Sequence, residues 1–119
     1  RAVVVPSRWY EGFPNVIIQA MVHARPVLAA RIGALTSIVE DGGTGYLFEL
    51  ANPQSLARAI QRICSSVERA CELGRAGQEK ARAEYSERSV YAALMAVYGT
   101  AMEAHARCMP RDRVSQATE

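Results

Sequence analysis

The sequence predicts an α/β fold with a parallel sheet and flanking helices, as in the second half of a doubly wound sheet. Three observations predict it. The β-branched apolar run at residues 2–5 does not alternate with polar residues, as expected of a parallel strand covered on both faces. A helical pattern follows, and a second apolar run, Pro26–Ala30, comes directly after it. A strand, a helix and a strand with short connections form a βαβ unit.

The first helix is predicted to begin at Pro14, whose missing N–H and fixed φ suit the first helical position. No Ser, Thr, Asp or Asn stands just before Pro14 to accept hydrogen bonds from the first N–H groups. An uncapped helix start at the carboxyl end of a parallel strand is a place where anions, most often phosphates, bind. Water can also satisfy these donors. The helical spacing then continues through the apolar residues Val16, Ile17, Ala20, Met21 and Ala24.

A short helix and a third strand are predicted next. Thr36 or Ser37 is expected to cap a one-turn helix that runs through Glu40. The alternating segment Gly45–Leu50 predicts a short strand at an edge of the sheet. Because three strands do not easily bury both faces of a sheet, we expect the other half of a doubly wound sheet to lie upstream.

Three consecutive helices are predicted for the second half of the chain. Asn52-Pro53 is a strong start for a helix that ends near Ser65. The next helix covers Val67–Glu84, with a break expected near Gly74 or Gly77. Ser86 is expected to cap the last helix, Glu87 to Ala106. Residues 109–119 have no core-forming pattern and are predicted to be a mobile tail, so the predicted domain covers residues 1–108.

Composition excludes several classes of protein. A net charge of +2, with no run of like charges, does not favour nucleic acid or an anionic membrane as a partner. No apolar run approaches the ~20 residues of a membrane span. The three cysteines form no CxxC pair and have no His at ligand spacing, so we expect reduced thiols in a cytoplasmic protein and no metal site.

The first turn and helix resemble family 4 (group 1) glycosyltransferases. That family's hallmark is a P-S-x-x-E-G-F-P turn, followed by a helix with a second Glu eight residues after the first. Here the turn is PSRWYEGFP, residues Pro6–Pro14. Further motifs follow in the family's order, and the resemblance covers about Ala2 to Ala106: Arg25-Pro26-Val27, Ile32-Gly33, Ile38–Gly42, Thr44–Phe48 and Asn52-Pro53.

The resemblance implies an enzyme of the GT-B type with two facing Rossmann-like domains, of which the chain is most of the carboxyl-terminal, donor-binding domain. Such an enzyme is a retaining glycosyltransferase that uses a UDP- or GDP-type sugar donor, with no cofactor or metal ion, in glycan or polysaccharide biosynthesis. Its amino-terminal domain would bind most of the acceptor and is missing here, so the fragment alone is predicted to be inactive. Peripheral membrane association of the parent protein stays open.

The same resemblance gives roles to the residues of the turn. Glu11 would be the catalytic residue, because its carboxylate can orient the donor sugar by accepting hydrogen bonds from two hydroxyl groups. Backbone N–H groups of the donor-binding residues would face sugar or phosphate oxygens, helped by the helix dipole. These residues are Gly12, Phe13, Pro14, Asn15 and Val16. Without the surrounding motifs, Glu11 would be interpreted as a solvated loop carboxylate.

One donor-binding position departs from the pattern, since the family's second Glu is Gln19 here. By resemblance this position contacts the nucleotide ribose. A neutral amide loses the charge-assisted part of that contact, which we expect to weaken binding by roughly 1 kcal/mol. Packing of the turn is the favoured role for Trp9 and Tyr10, with stacking on a base or partner domain as the alternative. Solvated surface is favoured for Arg8, Arg25 and Arg31, with positive charge near the cleft as the alternative, and His23 is interpreted as a surface or interdomain residue.

Two other functions compete with this interpretation. A dinucleotide-binding dehydrogenase domain requires a G-x-G-x-x-G turn and an acidic residue about twenty positions later, and neither occurs. A non-catalytic or degenerate binding module is favoured by Gln19 and by the missing amino-terminal half. If the last helix packs on that missing half in the parent protein, its apolar surface would be exposed here and would favour self-association of the fragment.

Overall fold

The computed structural model of the protein describes residues 2–108. The elements follow in the order β1 (Val3–Val5), α1 (Asn15–Val22), β2 (Val27–Ala30), α2 (Leu35–Ile38), β3 (Gly45–Phe48), α3 (Pro53–Cys64), α4 (Val67–Glu84) and α5 (Glu87–Cys108). The chain divides into two compact units, with the boundary between Tyr85 and Ser86. The first unit holds the sheet and four helices, and the second holds α5.

The three strands form one parallel sheet in the order β1-β2-β3, which confirms the predicted α/β fold class. Strand β2 is central and all four of its residues are buried. Strand β1 lies at one edge of the described sheet, and Val4 is 41% exposed. The prediction that this strand is covered on both faces is therefore wrong for the described residues. The prediction that β3 is an edge strand is confirmed.

Helix α4 packs against α1 through two glycines, and it has no break. A Cβ atom on Gly74 would lie 2.1 Å from the carbonyl oxygen of Ala24. A Cβ atom on Gly77 would lie 3.2 Å from Cγ of Met21, a fully buried core side chain. The predicted break near these glycines is wrong, because their small size serves close helix packing rather than helix termination.

The carboxyl end of α1 is held by hydrogen bonds. The N–H of Ala24, at φ 52°, donates to the carbonyl oxygen of Met21 at 2.9 Å, and the N–H of Arg25 donates to Ala20 at 2.8 Å. The side-chain amide of Gln78 on α4 donates to the carbonyl oxygen of Val22 at 2.8 Å. Together these bonds satisfy the carbonyl groups that a helix end otherwise leaves without partners.

Two predicted helix caps are confirmed. The side chain of Asn52 accepts a hydrogen bond from the N–H of Ser55 at 3.0 Å, with Pro53 at the first position of α3. The hydroxyl of Ser86 accepts a hydrogen bond from the N–H of Ser89 at 3.2 Å. Both caps depend only on residues within one helical turn, which is why local sequence predicts them.

Two other helix starts differ from the predictions. Pro14 is the residue before α1 rather than its first residue, with φ −81° and ψ 85°. Neither Thr36 nor Ser37 caps α2, which begins at Leu35. Their hydroxyl groups instead donate to the carbonyl oxygens three residues earlier, each at 2.8 Å. Such local bonds to the backbone compete with capping, since a hydroxyl group can donate as well as accept.

Helix α5 spans 22 residues and has no buried side chain. The helical spacing of the sequence places five side chains on one face, and all of them are exposed: Val90, Leu94, Val97, Tyr98 and Ala101. Its end at Cys108 lies two residues beyond the predicted end at Ala106. The predicted tail, residues 109–119, lies outside the described residues. Within residues 2–108, no helix is long and apolar enough to cross a membrane.

Candidate functional site

The candidate site is the turn between β1 and α1, which leaves the sheet at the carboxyl ends of its strands. In open parallel sheets, ligands bind at this edge. Glu11 is half-buried in the turn, and its carboxylate accepts a hydrogen bond from the hydroxyl of Ser7. Gly12 is exposed, and a Cβ atom there would meet nothing within 4 Å. The space next to the Gly12 backbone is therefore open to a ligand.

The start of α1 keeps N–H groups available, as the absence of a capping residue predicts. No side chain caps this end, and its first turn has no acidic residue. The N–H of Asn15 donates to the carbonyl oxygen of Phe13, and that of Ile17 donates to Pro14, both at 3.0 Å. Within residues 2–108, the N–H groups of Gly12, Phe13 and Val16 have no hydrogen-bond acceptor. Three donors are thus free for an anion or for sugar oxygens.

An aromatic contact fixes Phe13, which is itself half-exposed. Its ring meets that of Tyr85 edge to face, with centroids 5.8 Å apart and an interplanar angle of 61°. Tyr85 directly follows α4. Burial of this phenol, with the negative charge of Glu84 as a smaller cause, raises the pKa of Tyr85. The sequence analysis above does not include Tyr85. No local sequence pattern relates a tyrosine after α4 to a turn more than 70 positions earlier.

A second aromatic residue joins the first turn to the turn after β2. A Cβ atom on Gly33, which has φ +49°, would lie 2.7 Å from Cδ1 of Tyr10, so only glycine admits this ring contact. Tyr10 is itself 81% exposed, so the packing role favoured for it stays a prediction. Trp9 is 68% exposed, and its role stays a prediction.

Gln19 lies on α1 one helical turn after Asn15, and both side chains are exposed. Positions four residues apart on a helix are neighbours on one face. The Gln19 amide forms no hydrogen bond with any residue between 2 and 108. It is therefore available to a ligand that lies along the open start of the helix.

Charged side chains beyond the turn are held in ion pairs. Arg31 contacts Asp41 at 3.1 Å and Glu49 at 3.2 Å, so its charge is already matched. Lys80 donates to Glu40 at 2.6 Å. Burial opposes the charge on Lys80, but the hydrogen bond and the negative charge of Glu40 raise its pKa above the ordinary value. In the part of the chain that the structure describes, no three His, Cys, Asp or Glu side chains could together hold a metal ion.

The parallel sheet and its open first turn define a Rossmann-like ligand-binding domain. Residues 1–66, more than half of the chain, match the family described as glycosyl transferases group 1. The chain therefore belongs to the group 1 glycosyl transferases. This finding confirms the predicted resemblance at the level of the family.

A similar glycosyltransferase supports the same assignment. The chain is 33% identical over 106 residues to a D-inositol 3-phosphate glycosyltransferase of Streptomyces avermitilis, which covers 89% of this chain and 23% of the relative. The chain spans about a quarter of the length of the first curated relatives it matches.

Solved structures share the fold. A sucrose-phosphate synthase from Thermosynechococcus elongatus superposes with a TM-score of 0.76 at 35% identity, over 85% of this chain and 25% of that one. The Anabaena protein HepE, solved in complex with UDP, superposes with a TM-score of 0.78 at 24% identity, over 83% of this chain and 27% of that one. These neighbours confirm the GT-B-type Rossmann-like architecture of the described domain.

Proposed function

We propose that the chain is the donor-binding, carboxyl-terminal part of a retaining family 4 glycosyltransferase that uses a UDP- or GDP-type sugar donor. One observation carries the proposal: the first turn exposes a half-buried carboxylate and free N–H groups at the carboxyl edge of a parallel sheet. HepE, which has the same fold, was solved with UDP and with UDP-glucose. The upstream domain would supply most of the acceptor site.

Glu11 is the residue to which we assign the sugar. The hydrogen bond from Ser7 limits the rotamers of its carboxylate and leaves acceptor capacity for the sugar hydroxyl groups. Hydrogen bonds to a charged carboxylate are stronger than those between neutral groups. A sugar displaced from Glu11 would therefore lose binding free energy. In this role Glu11 orients the anomeric carbon for transfer.

The free N–H groups of the turn and the helix start are assigned to the donor diphosphate. During transfer the bond between the anomeric carbon and the diphosphate oxygen breaks, and the acceptor hydroxyl oxygen bonds to that carbon. Negative charge collects on the departing diphosphate, which takes up the acceptor proton. Gly12, Phe13 and Val16 have N–H groups free to stabilise that charge, and the dipole of α1 adds to the effect. Tyr85 keeps Phe13, and therefore this part of the backbone, in position.

Gln19 is assigned to the nucleotide ribose. Its exposed amide can accept from one ribose hydroxyl and donate to another acceptor, without the strength of a carboxylate. The same substitution supports the second candidate function, a nucleotide-sugar-binding module without catalytic activity. That candidate predicts that the parent protein binds a nucleotide sugar and never turns it over.

Turnover by the full-length parent protein tests the proposal and separates the two candidates. With a panel of UDP- and GDP-sugars, we expect transfer or slow hydrolysis of one donor. Glu11→Gln should lower kcat/KM about 10–100-fold, as expected for losing charged hydrogen bonds to the sugar. Glu79→Gln, on the exposed surface of α4, is the matched control and should leave the rate unchanged. Binding without turnover would instead support the non-catalytic module.

A further inference from the structure

A second concave surface borders the first turn. It is an apolar groove of about 370 Å³ at the carboxyl ends of the three strands, next to the start of α3. Its volume falls within the range of about 300–1,000 Å³ that is typical of small-molecule sites. Most of the side chains that line it are hydrocarbon, among them Pro6, Ala30, Phe48, Leu50 and Leu56.

The groove has few polar side chains with which to recognise hydroxyl groups or base edges. Asn52 lines it, but its side-chain oxygen Oδ1 already accepts a hydrogen bond from the N–H of Ser55 as the cap of α3, which leaves only the side-chain NH2 group. A sugar or a nucleobase bound here would lose hydrogen bonds to water without replacing them, which is unfavourable. The lining therefore favours a hydrocarbon ligand.

One charged residue stands on the wall of this groove. Arg8 is exposed and, unlike Arg31, forms no ion pair or hydrogen bond with any residue of the described range 2–108. A guanidinium group without a partner is suited to bidentate recognition of phosphate. Arg8 also directly follows Ser7, whose hydroxyl holds Glu11, so the groove and the candidate sugar site share the first turn.

We infer that this groove binds an amphiphile that has a hydrocarbon chain and one phosphate group. The chain lies on the apolar lining, and the phosphate accepts hydrogen bonds from Arg8. Charge complementarity at the single cation and the hydrocarbon character of most of the lining point to this class of ligand. The inference does not depend on the donor assignment, although the shared turn would bring the amphiphile beside a bound donor.

The test uses farnesyl phosphate, below its aggregation concentration, as the probe for the ¹⁵N-labelled 119-residue chain. We expect saturable chemical-shift changes at Phe48, Leu50 and Leu56. Farnesol lacks the phosphate and should bind about tenfold more weakly, as expected for the loss of a charge-assisted contact. Inorganic phosphate at the same concentrations should cause no shift at these residues.

Two arginine variants test the role of the cation. Arg8→Gln should weaken farnesyl phosphate about tenfold and leave farnesol unchanged, since only the charge-assisted contact to the phosphate is lost. Arg58→Gln is the matched control, because Arg58 is exposed on α3 but does not line the groove. Equal affinity for farnesyl phosphate and farnesol, or no shift at the groove residues, would overturn the inference.

Different results would contradict the donor assignment and the inferred binding of a phosphate-bearing amphiphile in the groove. Shifts caused by UDP-glucose are expected at Gly12 and Val16 and not in the groove. Glu11→Gln should reduce those shifts while leaving farnesyl phosphate binding intact. If UDP-glucose has no effect and farnesyl phosphate still binds, the donor assignment alone is contradicted.

Discussion

The two ends of α1 are built in opposite ways. At its carboxyl end, backbone N–H groups and the Gln78 amide occupy the terminal carbonyl oxygens, and Gly74 brings α4 into close contact. At its amino end no side chain caps the helix, and the N–H of Val16 has no acceptor within residues 2–108. Val16 is 46% exposed, so this donor at the open, amino end of the helix is accessible both to water and to a ligand from outside the helix.

This difference shows how a short helix can hold its ligand-binding end in a fixed position. A helix of eight residues is only marginally stable by itself, and its position depends on tertiary packing. Here α4 fixes the carboxyl end of α1 at Ala24 and Arg25, called the closed end because its carbonyl oxygens have partners. Buried Ile17 and Met21 hold the middle of the helix. The open end is therefore kept in place without using its own hydrogen-bond donors, which stay free for a ligand.

The largest expected effect comes from filling the space at the closed end. Gly74→Ala should destabilise the chain by about 1–3 kcal/mol, because the new methyl group meets the rigid Ala24 carbonyl oxygen. Gly99→Ala on α5 is the matched control: nothing lies within 4 Å, and removing a helix glycine should stabilise by about 0.5–1 kcal/mol. Urea unfolding measures both. Equal effects of the two variants would mean that α4 does not fix α1.

The next effect tests the aromatic support of the open end. Tyr85→Leu should weaken donor binding several-fold and destabilise the chain by about 1 kcal/mol, because the edge-to-face contact with Phe13 is lost. Tyr91→Leu, on the exposed surface of α5, serves as the control. Calorimetric titration with the nucleotide sugar gives the affinity, and urea unfolding gives the stability. Unchanged donor affinity in Tyr85→Leu would show that Phe13 needs no support from α4.

Tighter donor binding is expected when Gln19, which stands where the family pattern has Glu, is replaced by Glu. Gln19→Glu should tighten donor binding about fivefold, because a carboxylate accepts charge-assisted hydrogen bonds from the ribose. Gln61→Glu on the exposed surface of α3 adds the same charge elsewhere. The ratio of the two dissociation constants isolates the contact. A ratio of one would remove the ribose from the role assigned to position 19.

The smallest expected effect is a pH dependence of the free energy of unfolding, which arises from Lys80 on α4. The folded chain holds the proton of Lys80 more tightly than the unfolded chain, since the folded-state pKa is raised. Its contribution is therefore complete below the ordinary Lys value, about 10.4, and is lost as the pH rises through the folded-state pKa. Tyr85, also with a raised pKa, adds to the same alkaline loss.

Urea unfolding between pH 8 and 11 measures this loss in the protein and in Lys80→Gln. The variant should be less stable at pH 8 and should lose less stability as the pH rises. Parallel pH profiles would contradict a role for Lys80 in this dependence.

Sequence predicts the parts of this fold that depend on neighbouring residues. The caps at Asn52 and Ser86 are such cases, and the parallel order of the strands follows from the short connections. The predicted start of α1 at Pro14 was wrong by one residue, because the local pattern does not fix ψ at that position.

The incorrect and missing predictions concern contacts between distant residues. The break near Gly74 and Gly77 was predicted from the low helix propensity of glycine. The structure shows instead that a Cβ atom at these positions would lie too close to Ala24 and Met21. Tyr85 was missed as a support for the same reason. The turn residues of the candidate site are contiguous in the chain, so a family resemblance could identify them, while their assigned roles stay predictions.

Titration of the ¹⁵N-labelled chain with UDP-glucose, and with GDP-mannose in parallel, tests whether the open end of α1 is the donor site. Chemical-shift changes are expected at Gly12, Phe13 and Val16 for the correct donor, and none at the closed end of α1, Ala24 and Arg25. Glu11→Gln should abolish most of the response. Shifts that occur at the closed end, or that persist unchanged in Glu11→Gln, would contradict the assignment of the open end as the donor site.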